Sequence, residues 1–447
     1  MSSLLDGPAA AALGPELLEA SLRNSPGWLA DRRRAAWDAF AAMPMPSSMR
    51  DEDWRRTDIS GLRLDDFAPV RSVDDAFLRV MHRQRERVAE DAAFVVDAPG
   101  ASPRVDGADP LLAQGVIVTT MEEAATRHAD LLQRAMASVG VSESKLIALW
   151  NALWRGGVFI YVPRGVDAMA PVWVAHPATD DGSVVFPATV ALLDDAASLT
   201  LVDAHASPAG PAAMFSDAVT TLVLGRDARL DYHSLQQWGE GVWHVALQRA
   251  VLGANARLRF FGASVGSRLQ KAYWEAILEG VGSEADIWGV CFGDGSQHLD
   301  HQSLQLHRGS ETRSNLLLKV AVREKARSVY SGLIDVEPAA VHADGYVQNR
   351  NLLLSQHAKA DSVPRLEIRA NDVRCGHGAT AGHVDEDQRF YLMARGMPRA
   401  EAEALIVRAF FDDAVQHAPH RGFGTLVGEL LEAEIAGLTQ AGIGEAG

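Results

Sequence analysis

Ala254-Asn255-Ala256-Arg257-Leu258-Arg259-Phe260 compresses a turn, a small residue and alternating apolar positions into seven residues. The pattern returns as Asp195-Ala196-Ala197-Ser198-Leu199-Thr200-Leu201, as Arg226-Asp227-Ala228-Arg229-Leu230-Asp231-Tyr232 and as Ser283-Glu284-Ala285-Asp286-Ile287-Trp288. Alternation with period two predicts strands with one buried face. The copies lie about 30 residues apart, the spacing of a β-solenoid in which each coil covers the open face of the next. Later turns at Lys325-Ala326 and Lys359-Ala360 are less evenly spaced. Periodicity by itself leaves a β-sandwich or jelly roll open beside the solenoid.

Outward from this region the pattern changes on both sides. The β signal begins at Val158-Phe159-Ile160-Tyr161-Val162. From Pro8 to about 145 the chain reads as mostly helical: Leu17, Leu18 and Leu22 fall at helical spacing, Trp28, Trp37 and Phe40 surround a basic Arg32-Arg33-Arg34 face, and Pro44 and Pro46 end the helix. Ala93-Phe94-Val95-Val96 and Gly115-Val116-Ile117-Val118 read as strands, and Lys145 to Trp154 as a short helix ended by Gly156-Gly157. From Asp385 the pattern is helical again. Gly396 stops one helix and Pro398 opens the next, where Ala402, Leu405, Ile406, Ala409 and Phe410 form an apolar stripe. A last helix buries Leu426, Val427, Leu430, Leu431, Ile435 and Leu438, with Glu429, Glu432 and Glu434 outside. The expected division is an N-terminal domain over 1–145, a β core over 146–384 and a C-terminal helical domain over 385–447.

With 447 residues, 47% hydrophobic and 22% charged, the chain is long enough for two or three cores. Its formal net charge of -16 argues against a nucleic-acid groove or an anionic membrane surface, since both require clustered Lys and Arg. Met1-Ser2-Ser3-Leu4-Leu5-Asp6 lacks the basic region of a signal peptide, and no apolar run approaches the roughly 20 residues of a bilayer span. A cytoplasmic protein is expected. Cys291 and Cys375 are the two cysteines, so neither a disulfide framework nor a four-thiolate cluster site can come from this chain alone.

Seven of the 15 histidines fall between His298 and His383. Imidazole is the commonest metal ligand, yet it also satisfies buried carbonyls and caps turns. Cys375 and His377, two apart on an extended segment, face one surface, and Gly376 leaves the opposite face bare. Such a pair can bind a soft or borderline metal, accept sulfur, or carry a thiol activated by a charged neighbour; the structural alternative is a small buried hydrophobe beside a hydrogen-bonded edge residue. His298-Leu299-Asp300, with His342 or His357 as third ligand, offers the two-histidine, one-carboxylate triad of a non-haem Fe(II) oxygenase as a second reading. No phosphate-binding loop or zinc-protease helix occurs.

Gln348-Asn349-Arg350-Asn351-Leu352-Leu353-Leu354-Ser355 leads through Pro364-Arg365-Leu366-Glu367-Ile368 into Cys375-Gly376-His377-Gly378-Ala379-Thr380, then Phe390-Tyr391-Leu392 and Arg395-Gly396, with Trp54-Arg55-Arg56-Thr57-Asp58 near the N-terminus. These blocks resemble the SufD family of iron-sulfur cluster assembly proteins. The resemblance decides the fold in favour of a right-handed parallel β-helix with helical flanks. It implies a non-ATPase scaffold subunit, not an enzyme, that pairs its late strands with SufB and holds the SufC ATPase through its C-terminal helices. His377, and more weakly Cys375, are implied as ligands of a transient iron-sulfur cluster or iron shared with SufB. A link to reduced flavin is implied without an assignable contact, and a homodimer of the isolated chain stays open. Asn349 stands where the sister SufB family carries its scaffold cysteine, and Gly378 where SufB carries Glu. Gly376 and Ala381 replace the more usual Ser and Val of the SufD pattern.

Overall fold

A computed structural model describes residues 13–23, 25–70, 73–97 and 104–444, with side chains as far as residue 436. Its centre is a β-solenoid of about eight turns. Each coil gives one strand to a larger sheet and one to a smaller sheet, so alternate strands along the chain are neighbours. Arg257–Val265, for example, pairs in parallel with Arg229–Gln237 on one side and with Glu284–Gly293 on the other. Ser198, Arg229, Arg257, Glu284, Arg313, Asp344 and Arg374 stand in register above one another, which makes the coils 27 to 31 residues long.

The recurring turn has a direct physical cause. Its second residue takes the left-handed conformation, as Ala196 (φ 55°), Asp227 (59°), Asn255 (55°), Glu311 (59°) and His342 (61°). That rotation aims the residue's N–H along the solenoid axis. Asp227 N–H then donates to Ala254 O (2.8 Å), Asn255 N–H to Val281 O (2.9 Å) and Glu311 N–H to Val341 O (2.9 Å), so the corner is a hydrogen-bonded ladder of its own. The next residue points into the corner and is small and buried, as Ala197, Ala228, Ala256, Thr312 and Ala343; Ser283, which follows Gly282 (φ 69°), holds the same place, so the copy read as Ser283-Glu284-Ala285 is displaced, with Ser283 rather than Ala285 at the corner. Lys325-Ala326 and Lys359-Ala360 broke the spacing because they occupy the opposite corner, leading into the larger sheet.

Between the sheets runs one apolar core, from Val172 and Val174 through Leu230, Phe260, Trp274 and Ile287 to Leu318, Ile334 and Val347. The outer face of the larger sheet, with Phe215, Val219, Val245, Leu247 and Leu269, packs under the N-terminal helices and their Trp150 and Trp154. On the outer face of the smaller sheet, Phe261, Val290 and Ala321 meet Val407, Phe411 and Phe423 of the C-terminal helices.

Two further details differ from the sequence expectation. The arginine run is not a solvated face: Arg33 is buried, donates to Ala152 O and Trp154 O at 2.9 Å each, and lies 4.2 Å over the Trp154 ring. Arg32 turns inward to Asn151, and Arg34 is the exposed member. Helix Arg399–Val415 buries Ala402 of the expected stripe together with Ala404, Val407, Phe411 and Ala414, while Leu405, Ile406, Ala409 and Phe410 of that stripe line a groove. In Arg421–Gly444 the expected face is buried at Leu426, Val427, Leu431 and Ile435, Leu430 is half-buried, and the Leu438 side chain lies outside the described residues. The reading of Met1–Asp6 also falls outside them. Among the described residues no helix is long and apolar enough to cross a membrane.

The two ends of the solenoid are unlike. At the first, the short strand Ile117–Thr120 runs antiparallel to Val158–Val162, and Arg104–Asp106 antiparallel to Ala93–Val96; short edges of this kind resist further pairing. At the last, Lys359–Ile368 and Arg374–His383 each end their sheet as full ten-residue strands. A solenoid normally closes with a capping repeat. Among the described residues this end has none.

Candidate functional site

Cys375 and His377 lie on the terminal strand Arg374–His383, in register with Gly345 and Val347 of the coil below. Val347 belongs to the apolar core, so both side chains project from the inward face of the last coil, at the solenoid's open end. Cys375 packs half-buried on the core and His377 is exposed. The predicted same-face geometry is present. The opposite face is not bare, because a Cβ on Gly376 would meet the Tyr346 ring at 3.3 Å and one on Gly378 the Tyr346 hydroxyl at 3.2 Å. Glycine at both positions lets the ring lie flat along the strand.

Burial pushes the Cys375 thiol up, so the activated-thiolate option lacks support. The thiol is poised to meet a metal or a sulfur donor only once something displaces its proton. Further along the coil below, in register with Ala379, Asn349 is buried and takes up the polar end of the core, with Asn351 Nδ2 donating to Asn349 Oδ1 (2.6 Å) and to Thr380 O (3.3 Å). The Asn pair thereby ties the terminal strand to the coil below it.

The histidine enrichment splits by depth. His301 and His307 are buried between the sheets, whereas His342, His357, His377 and His383 are exposed. The oxygenase triad does not assemble. Asp300 is buried and occupied, its Oδ2 accepting from Lys271 Nζ (2.6 Å) and from the Thr57 hydroxyl, its Oδ1 from Gln302 Nε2 (2.7 Å). His298 Nε2 is 2.9 Å from Thr57 Oγ1. His342 sits past the end of strand Arg327–Val336, whose start pairs with His298, so a strand length separates the two. His357 lies in an exposed turn two strands along. Instead, the His-x-Asp pair clamps the Trp54-Arg55-Arg56-Thr57 segment onto the larger sheet, with Lys271 Nζ 4.7 Å from the Trp54 ring centroid. Two motifs read separately in the sequence are one contact.

Two further features were not legible in advance. Beside the open coil, Leu352, His383, Tyr391, Leu405, Ile406 and Phe410 line an apolar groove of about 730 Å³. Phe390 is 73% exposed nearby. And among the described residues, the histidines and acids that could converge on a metal ion are His176, Asp203 and His205, all buried. The signal was the Asp203-x-His205 alternation, outside the stretch where histidines are enriched.

Comparison with known proteins bears on all of this. Residues 176–410 match the family model described as "SUF system FeS cluster assembly, SufBD core domain", and residues 18–174 match "SufBD protein N-terminal region". The chain is 27% identical over 417 residues to the iron-sulfur cluster assembly protein SufD of Bacillus subtilis (strain 168), covering 92% of this chain and 95% of that one. It is 24% identical over 432 residues to iron-sulfur cluster assembly SufBD family proteins of Staphylococcus aureus strains USA300 and NCTC 8325, covering 93% and 91%.

Proposed function

Since the chain belongs to the SufBD family of iron-sulfur cluster assembly proteins, we propose that it serves as a SufD-like scaffold subunit whose open coil pairs with SufB. The observation that carries this reading is the pair of uncapped ten-residue strands with Cys375 and His377 on their core-facing side. Unpaired strand edges of that length offer a row of backbone donors and acceptors, to which the late strands of a homologous solenoid can add. His377 and, secondarily, Cys375 then face ligands from the other subunit across the seam. The iron-sulfur cluster assembled there is cargo. We divide the chain at 1–145, 146–384 and 385–447, and assign the docking of the SufC ATPase to the last part, where the apolar groove and exposed Phe390 are available to a partner.

The test is co-purification with SufB and SufC, with and without ATP, followed by cluster reconstitution. His377→Ala should leave the isolated chain within about 0.5 kcal/mol of its original stability, as for surface changes generally. Cluster formation should fall sharply, and less so for Cys375→Ser. A destabilised His377→Ala chain whose folded fraction still supports full assembly would return His377 to a structural role.

A further inference from the structure

We propose that His176, Asp203 and His205 form a binding site for one divalent first-row transition ion inside the solenoid, separate from the terminal coil. The three residues sit on adjacent strands, Val172–Pro177 and Ser198–Ala206, of the smaller sheet, with side chains facing the interior. Candidate ligand atoms from all three lie within 4.8 Å of one another. His176 Nε2 is 2.8 Å from Asp203 Oδ1, and His205 Nε2 is 3.8 Å from Asp203 Oδ2. The two imidazoles stack at 4.7 Å between centroids, 17° from parallel.

What distinguishes this group from an ordinary buried network is its outer layer. His176 Nδ1 is held by Asp97 Oδ2 at 2.9 Å, the carboxylate-to-imidazole contact that leaves Nε2 for a metal and raises its basicity. Asp97 Oδ1 is itself fixed by Gly157 N–H at 2.8 Å. Asp203 Oδ2 accepts from Thr220 Oγ1 (2.7 Å) and Tyr232 Oη (3.0 Å), so the carboxylate is oriented from both sheets. His205 is the member left short: it is buried, and its Nδ1 has no hydrogen-bond partner. Two buried carboxylates, Asp97 and Asp203, converge on a single imidazole, an acidic surplus that a divalent ion offsets. Two nitrogens and one oxygen suit Zn²⁺ or Fe²⁺ over the all-oxygen preference of Mg²⁺ and Ca²⁺. On binding, the ion takes the place of the proton that His176 Nε2 shares with Asp203, and that proton leaves to solvent. Entry is from the strand ends. The His205 ring lies 6.1 Å from Trp238, which with Ala206, Ser207 and Gln237 lines a groove of about 750 Å³.

Six strand steps separate this place from the terminal strand, about 29 Å at about 4.8 Å per step. The inference therefore stands whether or not the open coil pairs as proposed above. The experiment uses the full-length chain without an affinity tag, titrated with Zn²⁺ and with Co²⁺. One equivalent of either metal should bind, with a Co²⁺ spectrum lacking thiolate-to-metal charge transfer, and binding should raise the melting temperature. His377→Ala/Cys375→Ser should keep that equivalent. His205→Gln and His176→Gln should lose it, and Asp97→Asn should weaken it about 10- to 100-fold, as removal of an orienting partner does. The wild-type titration decides even where a variant fails to fold. No bound equivalent, a thiolate charge-transfer band, or loss of binding in the Cys375/His377 variant would each overturn the proposal.

Discussion

Four histidines held neutral by desolvation weaken the folded chain as the pH falls, one side chain at a time. Burial pushes His301 and His307 down to about 4, His298 also to about 4 and His233 to about 3. Each is neutral in the folded chain and titrates near 6.5 when unfolded. Their contribution is therefore complete above about 6.5 and is lost as pH falls from there toward 4, because the unfolded chain binds the extra protons. His307 is the cleanest case, bonded to Thr312 Oγ1 and Ser314 Oγ at 2.8 Å each. His307→Gln can keep both contacts without titrating. Denaturant midpoints measured from pH 6.5 to 4.5 should show a slope shallower by up to about one proton, about 1.4 kcal/mol per pH unit; an unchanged slope would mean the imidazole is not held neutral. At this scale the sequence disclosed that Cys375 and His377 share a face, since a two-residue alternation fixes it. It could not disclose that Cys291 is sealed in the core, its thiol pushed up to about 12 by burial, because depth depends on residues far along the chain.

At the scale of elements, two of the contacts that join the helical flanks to the solenoid can be tested directly. The first is the Thr57, Lys271 and Asp300 clamp. Lys271→Met leaves a buried carboxylate without its cation and should cost about 3–5 kcal/mol. Adding Asp300→Asn should recover much of that in a urea titration, whereas additive losses would show that the two groups act independently. The second is the C-terminal helix pair. Val407 and Phe411 face the solenoid while Leu405, 37% exposed, faces the groove. Val407→Asp should therefore unfold the helical pair, seen as lost helical signal. Leu405→Asp should leave the fold intact and weaken SufC binding at least tenfold. Full SufC affinity in a folded Leu405→Asp chain would move the docking surface elsewhere. The stripe expected from the sequence was the second face of this helix: an apolar period locates a face, and which of two faces meets the core depends on the sheet it lands on.

Across the whole molecule the protection of backbone amides should follow position in the stack. Strands Arg257–Val265 and Glu284–Gly293 are paired on both edges, and the core and the C-terminal helices cover their two faces, so they should exchange slowest. Lys359–Ile368 and Arg374–His383 should exchange fastest among the strands, then slow markedly when SufB is added. Continued fast exchange of both in a SufB complex would place the contact on another surface. What the sequence determined by itself was the coil: a turn, a small corner residue and an alternating strand, all satisfied within one repeat and its neighbour. Even the break in that rhythm at Lys325 and Lys359 was visible, though not its cause, the opposite corner. Only the tertiary structure decided which sheet each flank covers, that Trp54-Arg55-Arg56-Thr57 closes on His298 and Asp300, and that His176, Asp203 and His205 meet. Those contacts join segments far apart along the chain, and they form only once the stacked coils have fixed the distances between them.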